Sequence, residues 1–395
     1  MTRPITLFFF AVVLISLALP GKTAAQEPFF SSSAEYEFGQ GMQFYLMAED
    51  LPQITAVTLF ITAPEFPTAF SDEAAFEQDK ALIVIHEVDL TQLRLAPFTT
   101  VTYWWVLTTD AGELLTVPEQ QLVYEDDQFK WQSQTADSIT VHWTGDDPAL
   151  GQLALDIITE SLPRLQELLP PVEIDTLRVY LYPTSADLRS ALRLTGRDWV
   201  GAHAHPELGV ILVTAVNPRT AAADLGQSLP HELIHHLLYR AIGPQYDALP
   251  LWLNEGLASL AEESPNPAYA VVLQTAVAEQ STRPFDQLCA TFPASEGEAV
   301  LAYAQSDALV RYIQANYGND ALQNMVLAVK DGADCDTAVS RTLGLSLNDL
   351  NSEWLRSEQP HSPFVQFWLQ NGLTFLLILA GFGVTALLVL SPSRH

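Results

Sequence analysis

The sequence predicts an α+β chain in which a β-sandwich precedes a small mixed sheet with a mostly helical C-terminal lobe, followed by one transmembrane helix. Three observations support this prediction. Short alternating segments rich in aromatic and β-branched residues occupy positions 38–124. Apolar residues at helical spacing dominate after Pro148. An uncharged, almost wholly apolar run covers positions 373–390.

The composition is strongly acidic yet suited to folding. The 395 residues include 18 Lys plus Arg against 47 Asp plus Glu, a formal charge of −29. A field of that sign repels phosphate backbones and anionic headgroups, so the sequence predicts no nucleic-acid partner. Because 48% of the residues are hydrophobic and only 16% charged, we expect folded domains.

The N-terminus is typical of an export signal. Arg3 precedes an apolar stretch at 5–19, and Pro20 and Gly21 break it before Ala25, where cleavage is expected. Positions 1–25 are therefore predicted to be a signal peptide. An uncleaved membrane anchor is the alternative, although the stretch is shorter than the roughly 20 residues that span a bilayer.

The C-terminal run is long enough to cross a membrane. We predict a transmembrane helix at 364–390 and a cytoplasmic tail at 391–395, where Arg394 fits the positive-inside rule. A buried hairpin helix is the alternative. The expected location is the cell membrane, in a single pass that provides the membrane contact, with the ectodomain outside the cytoplasm.

The first domain is predicted at 26–127. Its candidate strands are separated by Pro, Asp and Gly, and they cover 42–46, 56–62, 82–88, 100–107 and 114–117. Their number and spacing resemble immunoglobulin or fibronectin type III modules. That resemblance identifies no ligand.

The second domain is predicted at 128–360, after an acidic stretch at 124–127. The periodicity indicates strands at 177–182 and 209–214. Helices are expected at 148–169, 185–192, 229–241, 249–263, 266–279, 299–317, 319–330 and 346–356.

The most informative motif is His231-Glu232-Leu233-Ile234-His235. Positions i and i+4 share one face of a helix, so the two imidazoles can bind one ion. Glu232 lies beside that face, where it can act on a metal-bound water as general base. Ser228 is expected to cap the helix and Pro230 to fall in its first turn.

A third ligand is available in Glu255, twenty residues after His235. Two imidazoles and one carboxylate leave the fourth position of zinc open, as in catalytic rather than structural sites. The motif HELIH followed by WLNEGLASLAEE resembles the gluzincin metallopeptidases, which include thermolysin and the aminopeptidase N family, and most closely the bacterial peptidase MA-like domains.

The resemblance covers about 141–356 and implies a zincin fold that binds one zinc ion through His231, His235 and Glu255, with Glu232 as base. Ser259 stands where the aminopeptidase branch carries a small hydroxyl residue, which implies a hydrogen bond to a ligand; a capping or solvent-facing Ser is the alternative. Tyr303 is similar to the tyrosine that stabilises the oxyanion, and a core Tyr is the alternative.

The strand at 209–213 is expected at the edge of the small sheet, where these enzymes bind an extended substrate. The glutamate-containing segment by which the aminopeptidase branch grips a free N-terminus has no match around 207–214. An endopeptidase is therefore expected. His203 and His205 are candidates for the cleft or ordinary loop residues.

The two cysteines, Cys289 and Cys335, fall in the predicted exterior part, where thiols oxidise. We expect them to form a disulfide, and two free buried thiols are the alternative.

The resulting hypothesis is a membrane-anchored zinc metallopeptidase acting on a peptide or protein substrate. The rival hypothesis is a cell-surface binding or scaffold protein that retains zinc without turnover. The sequence identifies neither the substrate nor the oligomeric state.

Overall fold

The computed structural model describes residues 28–64, 66–174, 176–193, 202–215, 220–293 and 295–359. The predicted signal peptide, transmembrane helix and cytoplasmic tail lie outside these residues. Within the described residues, no helix combines the length and the apolar character that crossing a membrane requires. The chain divides into two compact units.

The first unit comprises the described residues up to Leu90 and the segment 101–122. Its strands are β1 (Phe29–Glu37), β2 (Gly41–Glu49), β3 (Ile54–Thr62), β4 (Phe70–Glu73), β5 (Phe76–Gln78), β6 (Ala81–Asp89), β7 (Thr100–Thr109), β8 (Leu114–Thr116) and β9 (Gln120–Val123). They form two sheets, ordered β1-β2-β6-β5 and β4-β3-β7-β8, and β9 pairs with β7.

The two sheets share one core. Burial alternates residue by residue along β2 and β7, as expected for strands with one buried face. Phe44 of β2 and Tyr103 of β7 meet edge to face with ring centroids 4.9 Å apart. Trp105 donates its indole N–H to Ser32 Oγ at 3.0 Å. Two antiparallel sheets packed in this way are a β-sandwich, and the order β1-β2-β6-β5 is that of the A-B-E-D sheet in immunoglobulin-type domains.

The second unit comprises residues 91–100 and the described residues from Val123 to Gln359. Its strands are β10 (Trp131–Ala136), β11 (Ile139–Thr144), β12 (Leu177–Tyr182), β13 (Ala202–His205) and β14 (Val210–Thr214). Its helices are α1 (Ala149–Gln166), α2 (Ser185–Arg193), α3 (Ala221–Ile242), α4 (Leu251–Ala261), α5 (Pro267–Glu279), α6 (Glu296–Tyr317), α7 (Asn319–Lys330), α8 (Cys335–Leu343) and α9 (Leu347–Glu358). The second unit is thus a mixed sheet followed by a mainly helical part.

Segment 91–100 belongs to the second unit because its side chains pack there. The Phe98 ring stacks on Tyr180 of β12 with centroids 3.7 Å apart, and the Phe98 carbonyl accepts from Arg178 Nη2 at 3.0 Å. The Phe98 N–H also donates to the Tyr124 carbonyl at 2.7 Å. The predicted first domain, 26–127, includes segment 91–100, whereas the structure groups that segment with the second unit.

The sheet of the second unit has the order β10-β11-β12-β14-β13. The sequence-based expectation that β14 is the edge strand is wrong, because β14 pairs with β12 on one side and with β13 on the other. Its continuous apolar run is what a strand buried on both faces requires. The edge strand on this side of the sheet is β13, whose sequence Ala-His-Ala-His carries no strand signal.

Helix α3 begins at Ala221, eight residues before its predicted start. Ser228 and Pro230 therefore lie inside the helix, and the predicted cap and first-turn positions are wrong. Pro230 has no N–H to donate to the carbonyl of Gly226. The backbone N–H of Glu263 donates to that carbonyl instead, at 3.2 Å, so a tertiary contact replaces the missing helical bond.

The predicted disulfide between Cys289 and Cys335 is confirmed. It joins two residues 46 positions apart, with Cα atoms separated by 6.1 Å. The bond ties the chain before α6 to the first residue of α8.

Candidate metal centre

Three potential ligands converge between α3 and α4. His231 and His235, one turn apart on α3, have ring centroids 5.2 Å apart. Glu255 of α4 brings Oε2 to 3.5 Å from His231 Nε2 and to 3.7 Å from His235 Nε2. Among the described residues, this is the single group of three His, Cys, Asp or Glu side chains whose ligand atoms lie within 4.8 Å of one another.

Two glycines leave room for neighbouring groups near these side chains. A Cβ at Gly226 of α3 would collide with the carboxylate of Glu263, which follows α4. A Cβ at Gly256 of α4 would lie 2.5 Å from the carbonyl oxygen of Ser306 on α6. Gly256, next to Glu255, therefore allows α4 to pack closely against α6.

The imidazole nitrogens that face away from Glu255 are both engaged. His231 Nδ1 lies 3.0 Å from Glu262 Oε1, and the other oxygen of Glu262 accepts from Gln227 Nε2 at 3.0 Å. His235 Nδ1 lies 2.9 Å from Asn254 Oδ1. With Nδ1 as donor in each case, Nε2 keeps its lone pair available for a metal ion.

Asn254 is itself fixed by a tyrosine. Its Nδ2 donates to the hydroxyl of Tyr246 at 3.2 Å, which leaves Oδ1 directed at His235. Burial, and then the charges of Glu255, Glu232 and Glu207, raise the pKa of Tyr246 above its usual value. Tyr246 therefore stands neutral at one side of the cluster.

Ser259 is not one of these hydrogen-bond partners. It is buried one turn after Glu255, and its carbonyl accepts from Arg311 Nη2 at 3.3 Å. The position next to His231 is taken by Glu262, three residues further along the chain.

Glu232 is buried beside the cluster. The backbone N–H of Ala204 on the edge strand β13 hydrogen-bonds to its carboxyl group. Burial raises the pKa of Glu232, an effect opposed by His231 and His235 and supported by the negative charge of Glu255. The carboxyl group is thus close to the three candidate ligands and biased toward accepting a proton.

The pKa of His231 is shifted in the opposite sense from that of an isolated buried imidazole. Burial lowers its pKa, but hydrogen bonds to Glu255 and Glu262 and the nearby charge of Glu232 outweigh that effect and raise it to about 10. Without a metal ion, the excess of carboxylates therefore keeps a proton on this imidazole at neutral pH.

Tyr303 lies on α6, partly buried, with its ring 5.1 Å from that of Phe292 in an edge-to-face contact. Burial and then the charges of Glu255, Tyr269 and Glu232 raise its pKa above the usual value. The structure therefore brings Tyr303 within electrostatic reach of Glu255 and Glu232. The phenol remains protonated, so it can donate a hydrogen bond.

His203 and His205 lie on the edge strand rather than in a loop. Their rings are 4.6 Å apart, and His205 Nδ1 is 3.5 Å from Glu207 Oε1. Neither belongs to the His-His-Glu cluster.

Comparison with protein families supplies the identification. The family model of the peptidase MA superfamily matches residues 158–358, just over half of the chain and all three cluster residues. The chain belongs to the peptidase MA superfamily. Its second unit contains a gluzincin-like peptidase domain with a metallopeptidase-like fold, as the motif predicted. No curated protein matches the sequence.

Solved structures resemble this peptidase MA protein at low identity. The M1 zinc metallopeptidase from Deinococcus radiodurans is 12% identical, covers 84% of this chain and 94% of its own, and has a TM-score of 0.41. An aminopeptidase N family protein from Idiomarina loihiensis is 9% identical, covers 85% of this chain and 77% of its own, and has a TM-score of 0.38.

Sequence reasoning missed three side chains of this peptidase MA site. Glu262 stood in the quoted motif WLNEGLASLAEE without a role, as did Asn254. Tyr246 lies nine residues before Glu255 in a 3₁₀ helix, Gly243–Ala248, where no periodicity marks it. A search for polar residues immediately before Glu255 and two turns after it would have found Asn254 and Glu262 as candidates.

Proposed function

We propose that this protein is a membrane-anchored, extracytoplasmic zinc metallopeptidase that hydrolyses internal peptide bonds. One observation carries the proposal. Two imidazole Nε2 atoms lie 3.5 and 3.7 Å from the same carboxylate oxygen of Glu255, with the buried carboxyl group of Glu232 beside them.

This donor set suits one zinc ion. A tetrahedral site with bonds of about 2.0–2.1 Å has neighbouring ligand atoms roughly 3.4 Å apart. The separations of 3.5 and 3.7 Å are close to that value. Two imidazoles and one carboxylate also leave a position open for water, and the acceptors on both Nδ1 atoms favour the tautomer that binds metal.

When bound here, zinc supplies polarisation of the substrate carbonyl and a lower pKa for water. Glu232 takes the proton of the attacking water and passes it to the leaving amine, a role for which its raised pKa is suitable. Tyr303 donates its phenolic hydrogen to the oxyanion that develops on the scissile carbonyl.

We further propose that the enzyme cleaves internal peptide bonds rather than removing N-terminal residues. The edge strand β13 has the sequence Ala-His-Ala-His and presents no carboxylate to bind a free N-terminal ammonium group. A peptide whose N-terminus is acetylated should therefore be cleaved as fast as the free peptide. Much faster cleavage of the peptide with a free N-terminus would refute the endopeptidase assignment but not the metallopeptidase activity.

The membrane location rests on the apolar sequence at 364–390 and the signal at 1–25. Expressed in its native host, the full chain should stay with membranes after alkaline carbonate washing, whereas a chain ending at residue 360 should be released. Retention of the truncated chain would contradict the proposed anchor.

The activity is tested with Glu232→Gln, which removes the base and leaves the ligands in place. The variant should retain about one zinc per chain but lose hydrolysis of denatured protein substrates by at least about a hundredfold. Glu279→Gln, at the exposed end of α5, is the matched control and should retain full activity.

Two results would overturn the activity. Unchanged hydrolysis by Glu232→Gln would remove this residue as the base. Full zinc occupancy without cleavage of any substrate by the wild-type protein would favour the rival reading, a zinc-retaining binding protein.

A further inference from the structure

The outward face of the sheet β1-β2-β6-β5 carries an unusual share of exposed apolar residues. Half of the large apolar side chains exposed among the described residues lie on it: Phe29, Met47, Ile83 and Ile85, with exposures of 55%, 41%, 50% and 59%. All four occupy outward positions in strands whose inward residues form the sandwich core. Scattered exposed apolar residues are ordinary, whereas a group on one face marks an interaction surface.

The strand register makes three of these residues contiguous and adds a tyrosine. Met47 lies directly opposite Ile83, and Tyr45 lies directly opposite Ile85 in the next outward row. These four side chains form a two-by-two apolar block on the central strands β2 and β6, and Phe29 lies outside it on β1, opposite Glu49. Directly opposed residues in an antiparallel sheet have Cβ atoms about 5 Å apart, so the block is continuous.

Acidic side chains border this apolar block on three sides, and Ser31 and Ser33 of β1 lie on the fourth. In the next outward row, Glu35 is opposite Gln43, which is opposite Glu87; beyond it lie Glu37 and Asp89. Glu77 is opposite Ile83 on the other flank. The four strands of this sheet contain no Lys or Arg.

We propose that this face, which we call the β2/β6 face, is a docking surface for a polypeptide segment that carries apolar side chains next to Lys or Arg. The apolar block removes the partner's apolar side chains from water, and the carboxylates select its charge. The inference is independent of the proposed peptidase activity, because it uses residues of the first unit alone.

The charge of the face disfavours other occupants. Anionic lipid headgroups would be repelled by the surrounding carboxylates. A second copy of this chain would bring like charges together at the same surface. A sugar ring would need an aromatic platform, but the two outward aromatic residues of this face are not neighbours. Phe29 lies opposite Glu49, two outward rows away from Tyr45.

The test measures binding of three synthetic peptides of about ten residues to the purified full chain, in the presence of a chelator so that no peptide is cleaved. Alternating Leu and Lys should bind. A peptide of alternating Leu and Glu lacks the basic side chains, and one of alternating Ser and Lys lacks the apolar side chains. Each should therefore bind at least about tenfold more weakly.

Two surface variants separate the two contributions. Ile83→Ser combined with Ile85→Ser should weaken the Leu/Lys peptide by about tenfold at all salt concentrations. Glu35→Gln combined with Glu87→Gln should weaken it at low salt and have less effect at about 0.5 M salt. Val271→Ser, which removes an exposed apolar residue of α5 outside this face, is the matched control and should bind normally.

Three results would overturn the proposal. The first is equal binding of the acidic and basic peptides. The second is unchanged binding of the Leu/Lys peptide to both surface variants, with folding verified by circular dichroism. The third is binding of the wild-type chain to vesicles containing phosphatidylserine that the Ile83→Ser, Ile85→Ser variant loses, which would assign the face to membranes.

Discussion

The Nδ1 atom of His231 lies 3.0 Å from Glu262 Oε1, so a buried carboxylate supports the first imidazole of the HELIH motif. His235 has the neutral side chain of Asn254 in the corresponding position. His231 thus has a charged hydrogen-bond partner and His235 a neutral one. The Nε2 of His231 should therefore be the stronger electron donor to a metal ion.

Replacing Glu262 should weaken metal binding without removing a ligand. We expect Glu262→Gln to lower zinc affinity by about tenfold, because the amide still accepts a hydrogen bond but no longer carries charge. Competition with a chromogenic chelator measures this. Glu263→Gln, the exposed neighbour, is the matched control. Equal affinity of the two variants would contradict the role of Glu262.

Tyr246 should act on zinc through Asn254. In Tyr246→Phe the Nδ2 of Asn254 loses its acceptor, so the amide can rotate and present a donor to His235 Nδ1. We expect about tenfold weaker zinc binding. Tyr239→Phe is the matched control, since Tyr239 packs against Tyr246 with ring centroids 5.6 Å apart. A loss of affinity in both variants would indicate packing rather than the hydrogen bond.

Zinc binding should release a proton at neutral pH. The metal-free site holds a proton on His231 because its pKa is raised to about 10, and an imidazole must lose that proton before its Nε2 can bind metal. Apparent affinity should therefore rise roughly tenfold per pH unit between about pH 7 and 9. Calorimetry in buffers of different ionisation enthalpy measures the protons released. Release of none in this range would contradict the assignment.

Asp126 should make stability depend on pH. Burial raises its pKa to about 6, although hydrogen bonds from the Gln128 N–H and the Tyr182 hydroxyl lower it. The folded protein thus holds the proton more tightly than the unfolded chain, whose carboxyl titrates near 3.8. This contribution to the free energy of unfolding is full below about pH 4 and is lost as the pH rises through 6.

Asp126→Asn should remove that dependence and stabilise the protein at pH 7 by about 1–2 kcal/mol. Urea unfolding at pH 4 and pH 7 compares the variant with wild type. Asp146→Asn is the control, because Asp146 is exposed in the turn between β11 and α1. A variant less stable than wild type at pH 7 would show that ionised Asp126 contributes favourably.

Local sequence predicted the part of the site that depends on helix periodicity. His231 and His235 share a face because they are four residues apart, and Glu255 followed from the resemblance of its motif. Glu262 and Tyr246 could not be assigned in this way. Their contacts depend on how α3, the 3₁₀ helix and α4 pack together, and helix periodicity does not predict that packing.

The boundaries of the helices and strands were likewise predicted only where the local apolar pattern determines them. Strand β12 and helix α7 begin and end where the apolar pattern predicts. The start of α3 was missed because Pro230 suggests a helix N-terminus, whereas a hydrogen bond from the Glu263 N–H compensates for it in the interior. Strand β13 was missed because alanine and histidine carry no strand preference, and pairing with β14 holds it in place.

The most direct test of the central claim is X-ray absorption at the zinc edge of the purified protein. We expect about one zinc per chain, bound by two imidazole nitrogens and by oxygen at about 2.0–2.1 Å, with loss of the metal in Glu255→Ala. Absence of zinc from the wild-type protein, or zinc that persists with unchanged coordination in Glu255→Ala, would contradict it.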